Sequence, residues 1–306
     1  MSYESIHFII NPSSGGGNAG KIWAQARNYI EKNIGAFSFE YTAQKGHAIE
    51  LAKRASEKAQ KIISIGGDGT LSEVIMGVVQ SGSSATLVGV LNLGTGGDFC
   101  RTVGITSNLQ ASLEKIKNNN YKNIDIGHII YKTSEDRSEE RYFINVAGCG
   151  MAGNVVKTIN VSKKMFGSFS YYLSSLQNLF SYKNKKIQLT IDGIDKGEFQ
   201  VVTAAICNGK YFGGGMHISP LSDLTDGLFH ITIIGNWSLF EKVLYSMNLY
   251  GNKLLSLPKV SSFTGKKITI QPLAGELPAL IDSDGEDIGV IPMTLEILPG
   301  AIKFLI

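Results

Sequence analysis

Cysteine is scarce here: three in 306 residues, at Cys100, Cys149 and Cys207, an odd number without CxxC spacing. That argues against a disulfide framework or a cysteine zinc site and suits a reducing compartment, with the thiols read as small buried hydrophobes. An excess of one charge is missing too. Lys and Arg number 29 against 26 Asp and Glu, a net +3, and no long basic block occurs. Nucleic acid is therefore not an expected partner. No apolar run approaches the length that spans a bilayer. Residues 1–10 contain Glu4 and His7 and hold no signal-peptide core, so a cytoplasmic location is expected. The histidines at 7, 47, 128, 217 and 230 form no metal-ligand spacing. Internal repeats and low-complexity tracts are absent.

What is present is a globular composition, 43% hydrophobic and 18% charged, long enough for one large domain or two ordinary ones. The first third alternates in type. Strands are expected at 6–10, 37–42, 62–65 and 87–91, and helices at 21–34, 47–58 and 71–79. Such alternation implies a parallel sheet covered on both faces, with ligands at the carboxyl ends of its strands. After about residue 121 short strands dominate: 124–131, 141–147, 186–191, 199–207, 228–234, 267–272 and 293–298. This predicts a β-rich second domain, sandwich or barrel in type. Helical insertions are expected near 166–182 and 239–248, and the charged run 134–141 reads as a solvated hairpin tip.

Three glycine-rich loops each follow a strand. The strongest is Gly66-Gly67-Asp68-Gly69-Thr70, leading into a helix that starts near Leu71. Its glycines let backbone N–H groups face a phosphate, and the helix N-terminus adds positive potential. Asp68, lodged among donors, suits a magnesium ion or its water better than a phosphate. The plain alternative is a strand–turn–helix joint. Asn11-Pro12-Ser13-Ser14-Gly15-Gly16-Gly17 offers a second anion nest, with Lys21 a turn further on, but lacks the Lys-Ser/Thr ending of a Walker A loop. The third loop, from Leu93 to Arg101, contributes Thr95, a second acid in Asp98 and a fixed cation in Arg101.

Two further elements lie downstream. Asp282-Ser283-Asp284-Gly285-Glu286-Asp287 reads as an acidic hairpin tip. It is either a solvated turn or a place where Glu286, facing an interdomain cleft, takes the proton of an attacking hydroxyl. Asn208 is followed by Gly213-Gly214-Gly215-Met216, whose three glycines permit close backbone approach, and Asp226 follows as a turn cap or cation ligand. An aromatic stretch with Phe166, Phe169, Tyr171, Tyr172, Phe180 and Tyr182 is flanked by Lys163, Lys164, Lys183, Lys185 and Lys186. It suits either a membrane interface or packing on the sandwich.

In this order the motifs resemble the bacterial diacylglycerol kinase family, related to ceramide and sphingosine kinases. The resemblance runs through residues 11–15, 66–74, 94–99, 145–156, 207–216 and 284–286, essentially the whole chain. It implies two domains: an α/β nucleotide-binding domain with a parallel sheet over 1–123, and a β-sandwich lipid-substrate domain over 124–306. The last residues would pack back on the first domain as a very short return segment, and the active site would lie in the cleft between the two. By motif, ATP would contact Asn11, Pro12, Ser13, Ser14, Gly15, Thr42, Gly66, Gly67, Asp68, Gly69, Thr70, Leu71, Thr95 and Arg101. Asp68 and Asp98 would organise catalytic Mg2+, and Glu286 would be the proton acceptor. Asp226, with carbonyls of Asp223 and Leu228, would hold a structural Mg2+. The implied reaction moves the γ-phosphoryl group of ATP to a lipid hydroxyl, converting diacylglycerol to phosphatidic acid, with peripheral association at the inner membrane face. One departure stands out: Gly97 occupies a position where the family commonly has Asn. A soluble kinase such as an NAD kinase, which shares Gly-Gly-Asp-Gly-Thr, and a non-catalytic nucleotide-binding regulator are the competing readings. A homodimer is left open.

Overall fold

The computed structural model describes residues 5–92, 97–133, 135–154 and 182–306. The chain divides into two compact units. The first comprises residues 1–126, 224–226 and 298–306, and the second comprises 127–223 and 227–297. The expected combination of an α/β unit and an antiparallel β-rich unit is observed.

In the first unit, β1 (Ile6–Ile10) and β3 (Lys61–Ile65) are buried along their whole length. They pair in parallel, with Ile6 opposite Lys61 and Ile10 opposite Ile65. β2 (Ser38–Tyr41) flanks β1, and β4 (Leu87–Val90) flanks β3, both in parallel. Strands buried on both faces read as largely apolar runs, as β1 and β3 do, whereas the edge strand β2 is partly exposed. Helices α1 (Asn18–Ile34), α2 (His47–Ala55), α3 (Asp68–Ser81), α4 (Asp98–Thr102) and α5 (Leu109–Asn118) complete it. Phe8, Trp23, Ile63, Leu91 and Leu113 form its core. The buried Lys61 donates its Nζ to the Ile116 carbonyl, 2.7 Å away in the last turn of α5, where a cation is favoured. The last residues also belong here. Lys303 and Phe304 pair in parallel with Leu87 and Val88 of β4, and the Gly300 N–H donates to Asp125 Oδ1 at 2.7 Å.

In the second unit one antiparallel run has the order β12-β11-β10-β7-β14-β15. Its members are β7 (Val146–Gly150), β10 (Thr203–Cys207), β11 (Phe229–Ile234), β12 (Val260–Gly265), β14 (Leu280–Ser283) and β15 (Glu286–Leu305). From β15 a second arm continues through β13 (Lys267–Pro272) and β8 (Lys185–Ile191) to β9 (Ile194–Val201). β5 (Tyr121–Lys132) and β6 (Ser138–Phe143) form a hairpin. Leu189 and Ile268 of one arm share a core with Ile231 and Ile281 of the other. α6 (Leu239–Tyr245), opened by a Ser238–Glu241 capping box, runs into a 3-10 turn at Ser246–Tyr250.

Several expectations from sequence are corrected. The strand expected over 199–207 is two strands, β9 and β10. The one expected over 141–147 is β6 and β7, and 293–298 is the middle of the 20-residue β15. Of the run read as a hairpin tip, 138–141 is strand. The expected helix at 166–182 lies outside the described residues apart from Tyr182.

Candidate active site

The first unit contains a cleft of about 400 Å³ lined by three strand-end loops. Asn11, Ser13 and Ser14 follow β1, Thr42 to Lys45 follow β2, and Gly67, Gly69 and Thr70 follow β3, with Glu73 on the next turn. Each loop is fixed by its neighbours. The Asn11 N–H donates to the Ile65 carbonyl at 2.9 Å, and the Thr42 N–H donates to the Ile10 carbonyl at 2.8 Å. Asn11 Nδ2 donates to Thr70 Oγ1 at 3.0 Å. Glu73 accepts the Gly46 N–H at 2.9 Å and the Ala48 N–H at 3.2 Å, which binds the start of α2 to α3. Gly15, Gly16 and Gly17 all have φ between 61° and 90°, the left-handed region that only glycine enters readily. The result is a concave surface at the carboxyl ends of parallel strands, lined by the hydroxyl-bearing Ser13, Ser14, Thr42 and Thr70 and by Gly67 and Gly69, a composition suited to phosphates.

Asp68 is the first residue of α3, and its Oδ2 accepts the Asp98 N–H at 2.6 Å. A Cβ added at Gly97 would overlap the Asp68 carboxylate. The carboxylate therefore rests on the bare Cα of Gly97, whose φ of −90° any residue could adopt. Asp98 itself forms an ion pair with Arg101, 2.7 Å from Nη1 to Oδ1. Magnesium is commonly held through one or two carboxylates together with substrate phosphates. Asp68, adjoining the phosphate-type loops, fits that description; the Asp98 carboxylate is already compensated by Arg101. Among the described residues no three His, Cys, Asp or Glu side chains gather as a metal site. Asp223 and Asp226 are exposed and Leu228 half-buried in the segment before β11. The Cys100 thiol, pushed up to about 11 by burial and then by the Asp68 charge, is no nucleophile.

In the second unit the acidic tip is anchored rather than solvated. Asp284 accepts the N–H groups of Ile144 at 2.8 Å, Asn145 at 3.0 Å and Val146 at 3.2 Å. Turning these donors onto one carboxylate is what separates β6 from β7. Asn208 and Asn145 extend the anchor: Asn208 Nδ2 donates to the Ile144 carbonyl at 2.8 Å and Asn145 Nδ2 to the Tyr211 carbonyl at 2.6 Å. Gly213, Gly214 and Gly215, all at positive φ, close a small hairpin in which Phe212 pairs with Met216. Glu286 opens β15, and its Oε2 accepts from Arg141 Nη1 at 2.9 Å. Behind the tip Asp282 is buried, with Oδ1 lacking a hydrogen-bond partner. Burial, and then the charge of Asp284, pushes its carboxyl up to about 7.

Two domain families account for this arrangement. Residues 5–129 match the diacylglycerol kinase catalytic domain, and residues 145–306 match the YegS C-terminal NAD kinase beta sandwich-like domain. The diacylglycerol kinase of Bacillus subtilis (strain 168) is 31% identical over 242 residues, 78% of this chain and 76% of that one. The chain belongs to the diacylglycerol kinase family. The diacylglycerol kinase of Mycobacterium tuberculosis (strain ATCC 25618 / H37Rv) is 26% identical, over 97% of this chain and 93% of its own. The crystal structure of a diacylglycerol kinase from Bacillus anthracis str. Sterne matches the fold with a TM-score of 0.73. It is 21% identical and covers 100% of this chain and 97% of that one. This protein is accordingly a lipid kinase, a phosphotransferase whose acceptor is an alcohol group.

Of the residues expected at the kinase nucleotide site, Asn11, Ser13, Ser14, Thr42, Gly67, Gly69 and Thr70 line the cleft. Pro12 packs over Gly20 of α1, and the Leu71 side chain enters the core. Gly15 and Gly66 shape the loops from outside the lining. Thr95 lies outside the described residues. Lys45 and Gln44 went unread in the sequence, although a lysine in a strand-to-helix joint was a usable sign, and Glu73 was read only as a member of the 66–74 motif. Arg141 was missed because it closes a run of charges that reads as solvent-facing.

Proposed function

We propose that this lipid kinase transfers the γ-phosphoryl group of ATP to the hydroxyl of a diacylglycerol-like lipid, giving a phosphatidic acid. The observation carrying this reading is the braced cleft of the first unit, with donors from the loops after β1, β2 and β3 meeting around one concave surface. Phosphoryl transfer asks mainly for positioning and charge neutralisation. The hydroxyls of Ser13, Ser14, Thr42 and Thr70 and the N–H groups of Gly67 and Gly69 are proposed to hold the phosphate chain. Lys45, on the rim, adds a cation. Magnesium held by Asp68 and phosphate oxygens would supply neutralisation of the charge on the transferring group. Asp68 is kept in place by the Asp98 N–H and the absence of a side chain at Gly97.

Glu286 is the proposed proton acceptor, oriented by Arg141. The lipid oxygen forms a bond to the γ-phosphorus as the bond from that phosphorus to the β,γ-bridging oxygen breaks. ADP leaves, and the hydroxyl proton goes to the Glu286 carboxylate.

The test is transfer of labelled γ-phosphate from ATP to a panel holding diacylglycerol, ceramide, a sphingoid base and NAD, with and without magnesium. Phosphatidic acid formation dependent on ATP and magnesium is expected. Asp68→Asn, nearly isosteric, should lower turnover by about a hundredfold or more while the fold persists. Labelling of NAD alone, or a variant retaining half the activity, would sink the reading.

A further inference from the structure

The second unit carries a helix whose polarity is reversed relative to a helix that faces water. Along α6 and the following 3-10 turn, the residues turned outward are Leu239, Phe240, Val243, Leu244, Met247 and Tyr250. Phe240 is 74% exposed and Met247 77%. Their spacing, roughly i, i+3, i+4 and i+7, makes them one stripe. The inward side holds Lys242, only 6% exposed. Its Nζ donates to the Tyr182 carbonyl at 3.1 Å and lies over the Tyr182 ring. Tyr245 and Leu249 pack beside it against the cluster containing Ile218, Trp237 and Leu254. An ordinary surface helix would bury the apolar stripe and expose the lysine. An exposed contiguous apolar stripe marks an interaction site.

We propose that this stripe docks the kinase on the surface of an anionic bilayer. The proposal rests on the reading that the phosphoryl acceptor is a bilayer lipid, and it names where that bilayer meets the second unit. The charges around the stripe favour a membrane over a second protein. Between residues 238 and 259 the single acid is Glu241, and with Lys242 turned inward the outward cations are Lys253 and Lys259. Glu241 is neutralised by Lys259, 2.8 Å away, and capped into the helix start. Lys253, exposed and just past Tyr250, leaves a positive border. Apolar side chains with an aromatic at the edge and lysine beyond it are the make-up of an interfacial helix. The stripe is also tied to the glycine hairpin of the second unit. The His217 N–H donates to the Leu249 carbonyl, and His217 Nδ1 lies 2.7 Å from Asn252 Oδ1.

The experiment compares the full chain with the triple variant Phe240→Ser, Leu244→Ser, Met247→Ser. Co-sedimentation would use vesicles of phosphatidylglycerol and phosphatidylcholine, with phosphatidylcholine alone as the neutral arm. Wild type should bind the anionic vesicles, and the variant should bind them about tenfold more weakly or worse. The single variant Phe240→Trp should show fluorescence quenching by brominated lipid beyond that of the native Trp23 and Trp237. Equal binding by triple variant and wild type overturns the proposal, as does quenching of Phe240→Trp no greater than that of wild type. So does a wild-type dimer that the triple variant converts to monomer, which would assign the stripe to a second copy. A lowered melting temperature of the triple variant would assign it to the chain's own packing and overturn the proposal equally. Activity on a short-chain, water-dispersed diacylglycerol separates the two readings. If wild type fails there while binding vesicles through the stripe, the substrate assignment fails and the docking surface stands.

Discussion

At the scale of the residue, Gly97 and Glu286 make the sharpest demands. Gly97→Ala adds one methyl group at a backbone conformation that alanine accepts, so any effect comes from space alone. That space is filled by the Asp68 carboxylate. Turnover of Gly97→Ala should fall by about tenfold or more, with a melting temperature near that of wild type, because a small misplacement of a catalytic group is costly. Unaltered steady-state kinetics would mean that Asp68 moves aside freely. Glu286→Gln keeps the shape of the side chain and an acceptor for Arg141, but loses the ability to take a proton. Its turnover should drop by about 10²–10⁴-fold, with ATP binding by calorimetry unchanged. Full activity would return Glu286 to a turn residue. Both positions were visible in the sequence as motif members; their neighbours were not. Nothing in residue spacing indicates that residue 97 supports residue 68, or that Arg141 reaches Glu286 across 145 positions.

At the scale of the element, the strand-end loops of the first unit were legible because alternating apolar runs and glycine clusters follow from local backbone rules. The β14–β15 turn was legible only as a turn. What fixes it is Asp284, a non-glycine residue at φ 48° whose carboxylate takes three N–H groups from 144–146. Asp284→Ala leaves those donors without an acceptor and also strains the turn. It should cost about 2–4 kcal/mol, from charge-assisted hydrogen bonds lost in a partly buried place. Asp284→Asn keeps one acceptor and tolerates the left-handed conformation, so it should lie between. Thermal melts of the three proteins check the order; coincident melts would mean that the tip contributes no stability. The breaks between β6 and β7 and between β9 and β10 escaped the sequence for a related reason. The β9–β10 break is the single apolar residue Val202, and the β6–β7 break is Ile144 and Asn145, one polar residue that reads as part of an alternating strand.

At the scale of the whole molecule, the two-unit division and the β-rich character of the second unit could be read from the change in strand spacing near residue 121. The pairing partners could not, because periodicity names a strand but not its neighbour. Asp282 belongs to this scale, since it sets a pH dependence for stability. Its folded-state pKa, raised by burial to about 7, lies above the ordinary carboxyl range. The native state therefore holds a proton there that the unfolded chain releases above about pH 4. Stability from this group is full in acid and is lost as pH rises through about 7. Asp282→Asn, which needs no proton to stay neutral, should melt with wild type near pH 4 and increasingly above it as pH rises to 8. Differential scanning calorimetry across that range checks the sign; a wild type that gains on the variant as pH rises would contradict it.

The pairing of Lys303 and Phe304 with β4 has a consequence for synthesis on the ribosome. β4 ends at Val90, so the strand that covers its far edge emerges more than two hundred residues later. At about 5–20 residues per second, the nascent first unit waits on the order of ten to forty seconds with the β4 edge unpaired. Throughout that interval the edge can template pairing with another chain. The nascent protein thus has a timed window of vulnerability, closed only when the last strand arrives. Slow codons after residue 90 would lengthen that window, and a chaperone bound over the edge would shield it.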